Sequence, residues 1–350
     1  PRLDYSTGAE AFLLEPQSTN TIINSNDVAA MQYHGGLIRS NNAAISPDNT
    51  FNAMSFIPTT TQAVHRSGYN SASGVYAQGN TVTLSGFVKA NGYNFITLGG
   101  FFGAEKAVYN ISNGTVVSQE SNVINTKIVN LTNGWYRVST TYIFQNTITN
   151  GLLYSGIYVM ETDNGYAFTG DGVSGIYGYG FQAEIGNGTS YIPTSGTTVT
   201  RNQELCYDAT PVINSEEGVL YAEISALSND DSTNRYISLN DGSPNNSVRI
   251  YFSSNGIQLS GQLRSEGGLE CLFDYTVPNL LSFNKVAFKY KQDNFSFWIN
   301  GVEVATDTSG AVPIGLNKLS FNRGDGSQTF FGNTKGLKYY PKALSDVELQ

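Results

Sequence analysis

Charge is scarce in this 350-residue chain. Only 13% of the residues are Asp, Glu, Lys or Arg, and acids outnumber bases to give a net charge of −9. An acidic surface repels phosphate backbones, and no Lys/Arg cluster offers a local exception, which argues against nucleic-acid binding. Anionic membrane surfaces are disfavoured on the same ground. No run of about 18 apolar residues occurs, so no membrane insertion by a spanning helix is expected. Two cysteines, Cys206 and Cys271, are too few for a disulfide scaffold. They are either two unpaired, buried thiols or one bridge tying a connector to the second half of the chain. Two histidines argue against a His-based metal site. Helical sequence is nearly missing. The exception is ALSDVELQ at residues 343–350, where Ser345 and Glu348 have the spacing of a capping box. There is no initiator Met and no signal peptide, and the expectation is a fragment or processed product with an attachment region removed upstream.

What is present is apolar enough, at 40% hydrophobic residues, to build ordinary cores rather than a disordered chain. Glycine is abundant, and turn dipeptides recur between short apolar runs. The clearest is FSFWI-NG-VEVA, residues 295–305. Phe295, Phe297 and Ile299 share one face, Val302 and Val304 share another, and Asn300-Gly301 tolerates the positive φ of a type I′ turn. VRIYFSS-NG-IQLSGQL (248–263) and AVYNIS-NG-TVVSQ (107–119) read the same way. TVTLSGFVKA (81–90) and WYRVSTTYIF (135–144) alternate with period two, as half-buried strands do. The fold class is therefore all-β: two tandem antiparallel β-sandwich domains of the jelly-roll kind. They are expected at residues 1–203 and 218–350, with a connector at 204–217.

Two sets of motifs carry resemblances. LLEPQSTN (13–20) and FQAEIGNGTSYIPTSGTTVTRN (181–202) are similar to the framing motifs of carbohydrate-binding-module-like β-sandwiches in bacteriophage tail proteins. The opening motif there usually reads close to LLLEPQRTN, so Ser18 replaces the usual Arg. VLYAEIS (219–225), NKVAFKYKQDNFSFWINGVEVATD (284–307) and GLKYYPKALSDVEL (336–349) resemble the laminin-G-like, concanavalin A-like jelly roll. The resemblance implies two curved antiparallel sheets packed face to face. It also implies an extracellular virion protein: a tail fibre or receptor-binding part that holds a host cell-surface glycan, contacts other virion proteins and forms a homo-oligomer, commonly a trimer. Two other roles stay open, a structural decoration or spacer, and a module of a bacterial polysaccharide-degrading enzyme.

GIYGYGFQAE (175–184) alternates small and aromatic residues. Period two places Tyr177, Tyr179 and Phe181 on one face and Gly178 and Gly180 on the other. That ladder either stacks on sugar rings or is core. YHGGLIRSNN (33–42) offers His34 and Arg39, as a ligand loop or as a turn and strand edge. His65 and Arg66 read as edge residues, and Trp135 and Trp298 as packing residues or platforms. The polar stretches at 234–247 and 322–328 bring Asn240, Asp241, Arg323 and Asp325, which can hydrogen-bond hydroxyl groups. Asp230 and Asp231 suggest either a Ca²⁺ site, the one cofactor the sequence points to, or a plain acidic turn. No nucleophile elbow occurs, no compact E-x-D-x-x-E pattern is present, and Glu270 with Asp274, four apart and so on one face of a regular strand, is thin support for a glycosidase cleft. A non-catalytic binding protein is expected.

Overall fold

A computed structural model describes residues 2–4, 10–70, 74–100, 106–151, 154–206, 209–229 and 233–350. The all-β expectation holds. Among the described residues the only α-helix is the single turn Asp346–Leu349, where the Glu348 carboxylate accepts from Ser345 N (2.8 Å) and Ser345 Oγ (2.7 Å). The chain forms two compact units, residues 17–202 and residues 1–16 with 203–350.

In the 17–202 unit two six-stranded antiparallel sheets enclose one core. The first runs Val123–Asn130, Trp135–Ile143, Thr81–Asn91, Gly175–Ile185, Ala53–Pro58, Leu37–Ala44. The second runs Thr115–Gln119, Lys106–Asn110, Phe95–Gly99, Tyr154–Met160, Arg66–Asn70, Tyr33–Gly35. Phe56, Val82, Leu84 and Val88 of the first meet Ile96, Leu98, Tyr109 and Ile157 of the second. Each such buried apolar side chain contributes on the order of 1.5–3 kcal/mol.

The framing motifs close this unit by pairing Ser18–Asn20 with Val199–Arg201. Asn20 is buried, and its Nδ2 donates to Ile192 O (2.9 Å) and Phe181 O (3.3 Å). Its Oδ1 accepts from Ile22 N and Ala183 N, both at 3.1 Å. Glu184, on the same closing strand, accepts from Ser18 Oγ (2.6 Å), Gln182 Nε2 (2.6 Å), Thr189 N (2.9 Å) and Thr189 Oγ1 (2.5 Å). Ser18, standing where the resembling motif has Arg, thus serves Glu184 as a hydroxyl donor.

The other unit differs from expectation at the N-terminus. Residues 1–16 pack with the C-terminal half rather than with residues 17–202. Ala11–Leu14 pairs with Gly332–Tyr340, Leu14 is buried in that core, and the Phe12 and Phe321 rings sit 6.2 Å apart. The opening motif is therefore divided, its apolar half serving one core and its polar half the other. The seven-stranded sheet runs Arg2–Asp4, Ala11–Leu14, Gly332–Tyr340, Glu217–Ser225, Asn284–Lys291, Phe295–Ile299, Val302–Asp307. The five-stranded sheet runs Gly268–Thr276, Gln258–Ser265, Ser247–Phe252, Arg235–Asn240, Lys318–Ser320. Leu220, Phe288 and Phe297 face Ile237, Ile250, Leu263 and Phe273 across the core.

Asn300 (φ 52°) and Gly301 (φ 80°) form the two-residue turn, with Ile299 opposite Val302. The other two Asn-Gly hairpins form with wider loops, because Phe252 pairs with Leu259 and Asn110 with Thr115. Cys206 and Cys271 are free thiols. Burial, reinforced by the Asp307 carboxylate, pushes the Cys271 thiol up to about 12, which leaves it protonated and inert.

Candidate functional site

The strand Gly175–Ile185 does not alternate throughout. Gly180 has φ +59°, and its pairing with Thr81–Asn91 shifts register between Ser85 and Phe87. A glycine in the left-handed region adds one residue to the strand. Beyond it the faces exchange. Tyr177 and Tyr179 point away from the main core, as the alternation predicts, but Phe181 turns into it. Its ring meets Phe56 edge-on at 6.2 Å. A Cβ on Gly86 or Gly178 would come within 2.7 or 3.0 Å of the Phe181 ring, so those glycines leave it room.

Outside the sheet, Tyr179 packs against Phe87 (5.8 Å) and Tyr191 (5.6 Å), with Trp135, Tyr177 and Leu131 in the same cluster. Trp135 is buried, and its Nε1 donates to Ile45 O at 3.2 Å. Tyr179 is only 9% exposed, so it supports the cluster from beneath. Phe87, Tyr177 and Tyr191 are half-buried and offer ring surface to solvent. Arg137 lies 5.5 Å from the Phe87 ring centre, and its Nη2 donates to Thr189 O (2.5 Å).

The Tyr179 hydroxyl donates to Asp48 Oδ2 at 2.7 Å. Asp48 Oδ1 also accepts from Ser46 Oγ (2.6 Å), Thr50 Oγ1 (2.6 Å) and Thr50 N (2.8 Å). Burial opposes ionisation of Asp48, but the hydroxyls of Ser46, Thr50 and Tyr179 outweigh it and hold the carboxyl well below its usual range. Burial, then the Asp48 carboxylate, raises the Tyr179 phenol. A depressed carboxyl contributes stability above the unfolded value near ~4 and loses it as pH falls toward the native value. Asp48→Asn should therefore flatten the acid limb of a stability-against-pH profile of the intact chain. The change should be small, because Asp48 is largely solvated.

The other residues singled out by sequence behave differently. His34 is exposed on Tyr33–Gly35 opposite Ser67. Arg39 is a strut rather than a ligand group. Its Nη1 donates to Val28 O (3.0 Å), Met31 O (2.9 Å) and Ser67 Oγ (3.1 Å), and burial lowers its pKa. His65 is no edge residue. It is fully buried, with Nδ1 2.5 Å from Gly36 O and Nε2 2.8 Å from Phe168 O.

Asn240 is also buried. Its amide donates to Ser238 Oγ and Ser320 Oγ while its oxygen accepts from Gly242 N, so it is committed to the turn it begins. Asp241 accepts from Ser243 N, Ser243 Oγ and Asn246 Nδ2. Burial works to raise it, and those hydrogen bonds prevail and lower it. Arg323 and Asp325 pair with each other at 2.5 Å; the guanidinium, and then Ser327, depress the Asp325 carboxyl.

The structure sets that pair within electrostatic reach of residues the sequence did not flag. Tyr236 and Tyr251 lie 4.4 Å apart, and Arg249 stands 5.6 Å from the Tyr236 ring. Arg249 is 2% exposed and is pushed down to about 10 by burial. Its guanidinium donates to Gln262 Oε1 (2.6 Å) and Pro244 O (2.5 Å). Glu270 and Asp274 are engaged separately, with Ala311 N (2.9 Å) and Ser260 Oγ (2.6 Å). Asp230 and Asp231 lie outside the described residues. Among the described residues no group of three or more His, Cys, Asp or Glu stands together as a metal site.

No protein-family model and no curated protein matches the chain. Among solved structures, the CBM40 of the Ruminococcus gnavus IT-sialidase overlaps 39% of this chain and 82% of its own, at 20% identity and a TM-score of 0.32. The same module bound to alpha2,3 sialyllactose overlaps 38% and 80%, at 21% identity and a TM-score of 0.32. Domains LG4-5 of the mouse laminin alpha1 chain overlap 82% and 90%, at 8% identity and a TM-score of 0.28. Scores this low assign the chain to none of them.

Proposed function

We propose that this chain is a non-catalytic adhesin that holds a host-surface glycan, as part of a bacteriophage tail fibre or receptor-binding protein. The observation that carries the binding is the patch of half-buried rings, Phe87, Tyr177 and Tyr191, on the outer face of the first sheet. Flat rings take the C–H faces of sugars, and their fixed neighbours limit the ordering cost of binding. Tyr179 and Asp48 lock the patch from beneath, and Lys89, opposite Tyr177 on the next strand, borders it. The virion setting rests on the framing motifs at 13–20 and 181–202. A shallow patch of this kind binds weakly, and adhesion would come from several copies per particle.

A glycan array probed with the purified chain and with Tyr177→Ala tests the reading. The parent should retain at least one bacterial surface polysaccharide. Tyr177→Ala, which removes a half-buried ring at the edge of its cluster, should weaken that signal about tenfold, equivalent to ~1.4 kcal/mol, while the chain stays folded with a slightly lower melting temperature. Retention of no glycan, or equal retention by the variant, would favour a structural spacer.

A further inference from the structure

We propose that the outer face of the seven-stranded sheet carries a separate site for a carboxylate-bearing sugar. On this sheet Leu220, Phe288 and Phe297 turn to the core, and the alternate residues turn out. Register then lines up Lys338, Tyr221, Ala287 and Trp298 across four neighbouring strands. Residues 341–350 return over this row. Leu344 and Leu349 pack against Val219, Ala287 and Trp298, and Asp346 pairs with Lys289 at 3.0 Å. Trp298 is 4% exposed under this cover, and its Nε1 donates to Ser296 Oγ at 2.9 Å. It is therefore the wall of a cavity and not an open platform.

The cover leaves a cavity of about 300 Å³ lined by Tyr221, Trp298, Tyr340, Lys285, Lys338 and Asn300. That is at the small end of ligand pockets, with room for a terminal sugar rather than a chain. Its chemistry has two parts. The half-buried rings of Tyr221 and Tyr340 offer stacking surface, and neither hydroxyl is hydrogen-bonded among the described residues, so both can serve sugar hydroxyls. The charged part is cationic on a chain of net charge −9. Lys285 and Lys338 are exposed, and neither forms an ion pair among the described residues. Lys338 Nζ stands 5.8 Å from the Tyr221 ring centre. The one acidic side chain in the lining, Glu348, is engaged by Ser345 N and Oγ. Glu223 stands opposite Lys285 in register at the edge of this row, but neither lysine is held in an ion pair among the described residues, and two such ammonium groups beside a stacking surface favour an anion attached to a ring. A sugar carboxylate fits both parts, whereas a neutral hexose leaves the lysines unanswered.

The chain has two tryptophans. Trp298 lines this cavity and Trp135 lies in the Tyr177 cluster, so their indole N–H signals in ¹⁵N NMR report the two sites separately, assigned with Trp135→Phe. Titration with D-glucuronate should move the Trp298 signal and half-saturate at a concentration at least tenfold below D-glucose. Acetate, the carboxylate without the ring, should move it least. Lys285→Gln with Lys338→Gln, both at exposed positions, should erase the preference for glucuronate while keeping the fold. The proposal is overturned by equal saturation with glucose and glucuronate, by acetate matching glucuronate, by a double variant that keeps the preference, or by a Trp298 signal that no sugar moves. None of these outcomes depends on glycan binding at Tyr177.

Discussion

Glu184→Ala is expected to destabilise the 17–202 unit by roughly 2–6 kcal/mol, the sum for two buried donors left without an acceptor. Glu184 is 0% exposed. Its two oxygens accept four hydrogen bonds, from Ser18, Gln182 and twice from Thr189. Truncation leaves Ser18 Oγ and Thr189 N without an acceptor, each at a cost of about 1–3 kcal/mol, while Gln182 Nε2 falls back on Thr189 O (3.3 Å) and Ser190 O (3.4 Å) and Thr189 Oγ1 on Ser190 O (3.4 Å). The loss is also topological. Ser18 lies in the opening motif and Thr189 in the turn after the closing strand, so one carboxylate fastens three segments. Ser18→Ala removes one donor and one bond and should cost only about 1 kcal/mol. Arg201, the register partner of Ser18, keeps a cation at the neighbouring position in either variant. Denaturant-dependent hydrogen exchange of the amides in Gly175–Ile185 measures both. A Glu184→Ala value within about 1 kcal/mol of the parent would mean that the motif closes without this carboxylate.

What was legible in the sequence was local. The Asn300-Gly301 turn could be read because the φ angles it needs belong to those two residues. Strand alternation at 81–90 and 135–144 could be read because one face of each is buried in a single core. The division of the first motif could not, because the partner of Ala11–Leu14 is Gly332–Tyr340, far along the chain.

The site was legible in part for the same reason. Tyr177 and Tyr179 followed from period two. Phe87 lies directly opposite Tyr179, and Asp48, which holds its hydroxyl, is 131 residues away in sequence. Asn240 and Asp241 were misleading. Short polar side chains in turns look like ligand groups, yet their first partners are the amides of their own turn. Arg249 was missed because an Arg in an apolar strand gives no local sign that its face is polar.

Gly180→Val should cost about 2–5 kcal/mol and also abolish binding at the aromatic patch. The two effects share one cause. Gly180 sits at φ +59°, a region that costs an ordinary L-residue roughly 1–2 kcal/mol and a β-branched one more. A Cβ there would come within 2.9 Å of the Tyr191 ring and 3.2 Å of Phe87, and overpacking of that kind adds about 1–3 kcal/mol. The rings forced to move are those that form the patch.

Gly180→Asn separates the terms. Asn tolerates the left-handed region, so the backbone cost falls, but its Cβ meets the same two rings. It should recover about 1 kcal/mol of stability relative to Val while binding stays lost. Thermal melts paired with glycan-array signal test this. If Gly180→Asn binds as the parent does, the rings yield without losing their function, and the bulge serves only to turn Phe181 into the core. If both variants lose binding and differ in stability, the bulge does two things at once. It delivers Phe181 to the interior, and it leaves the outer face the only space in which Phe87, Tyr179 and Tyr191 can lie together.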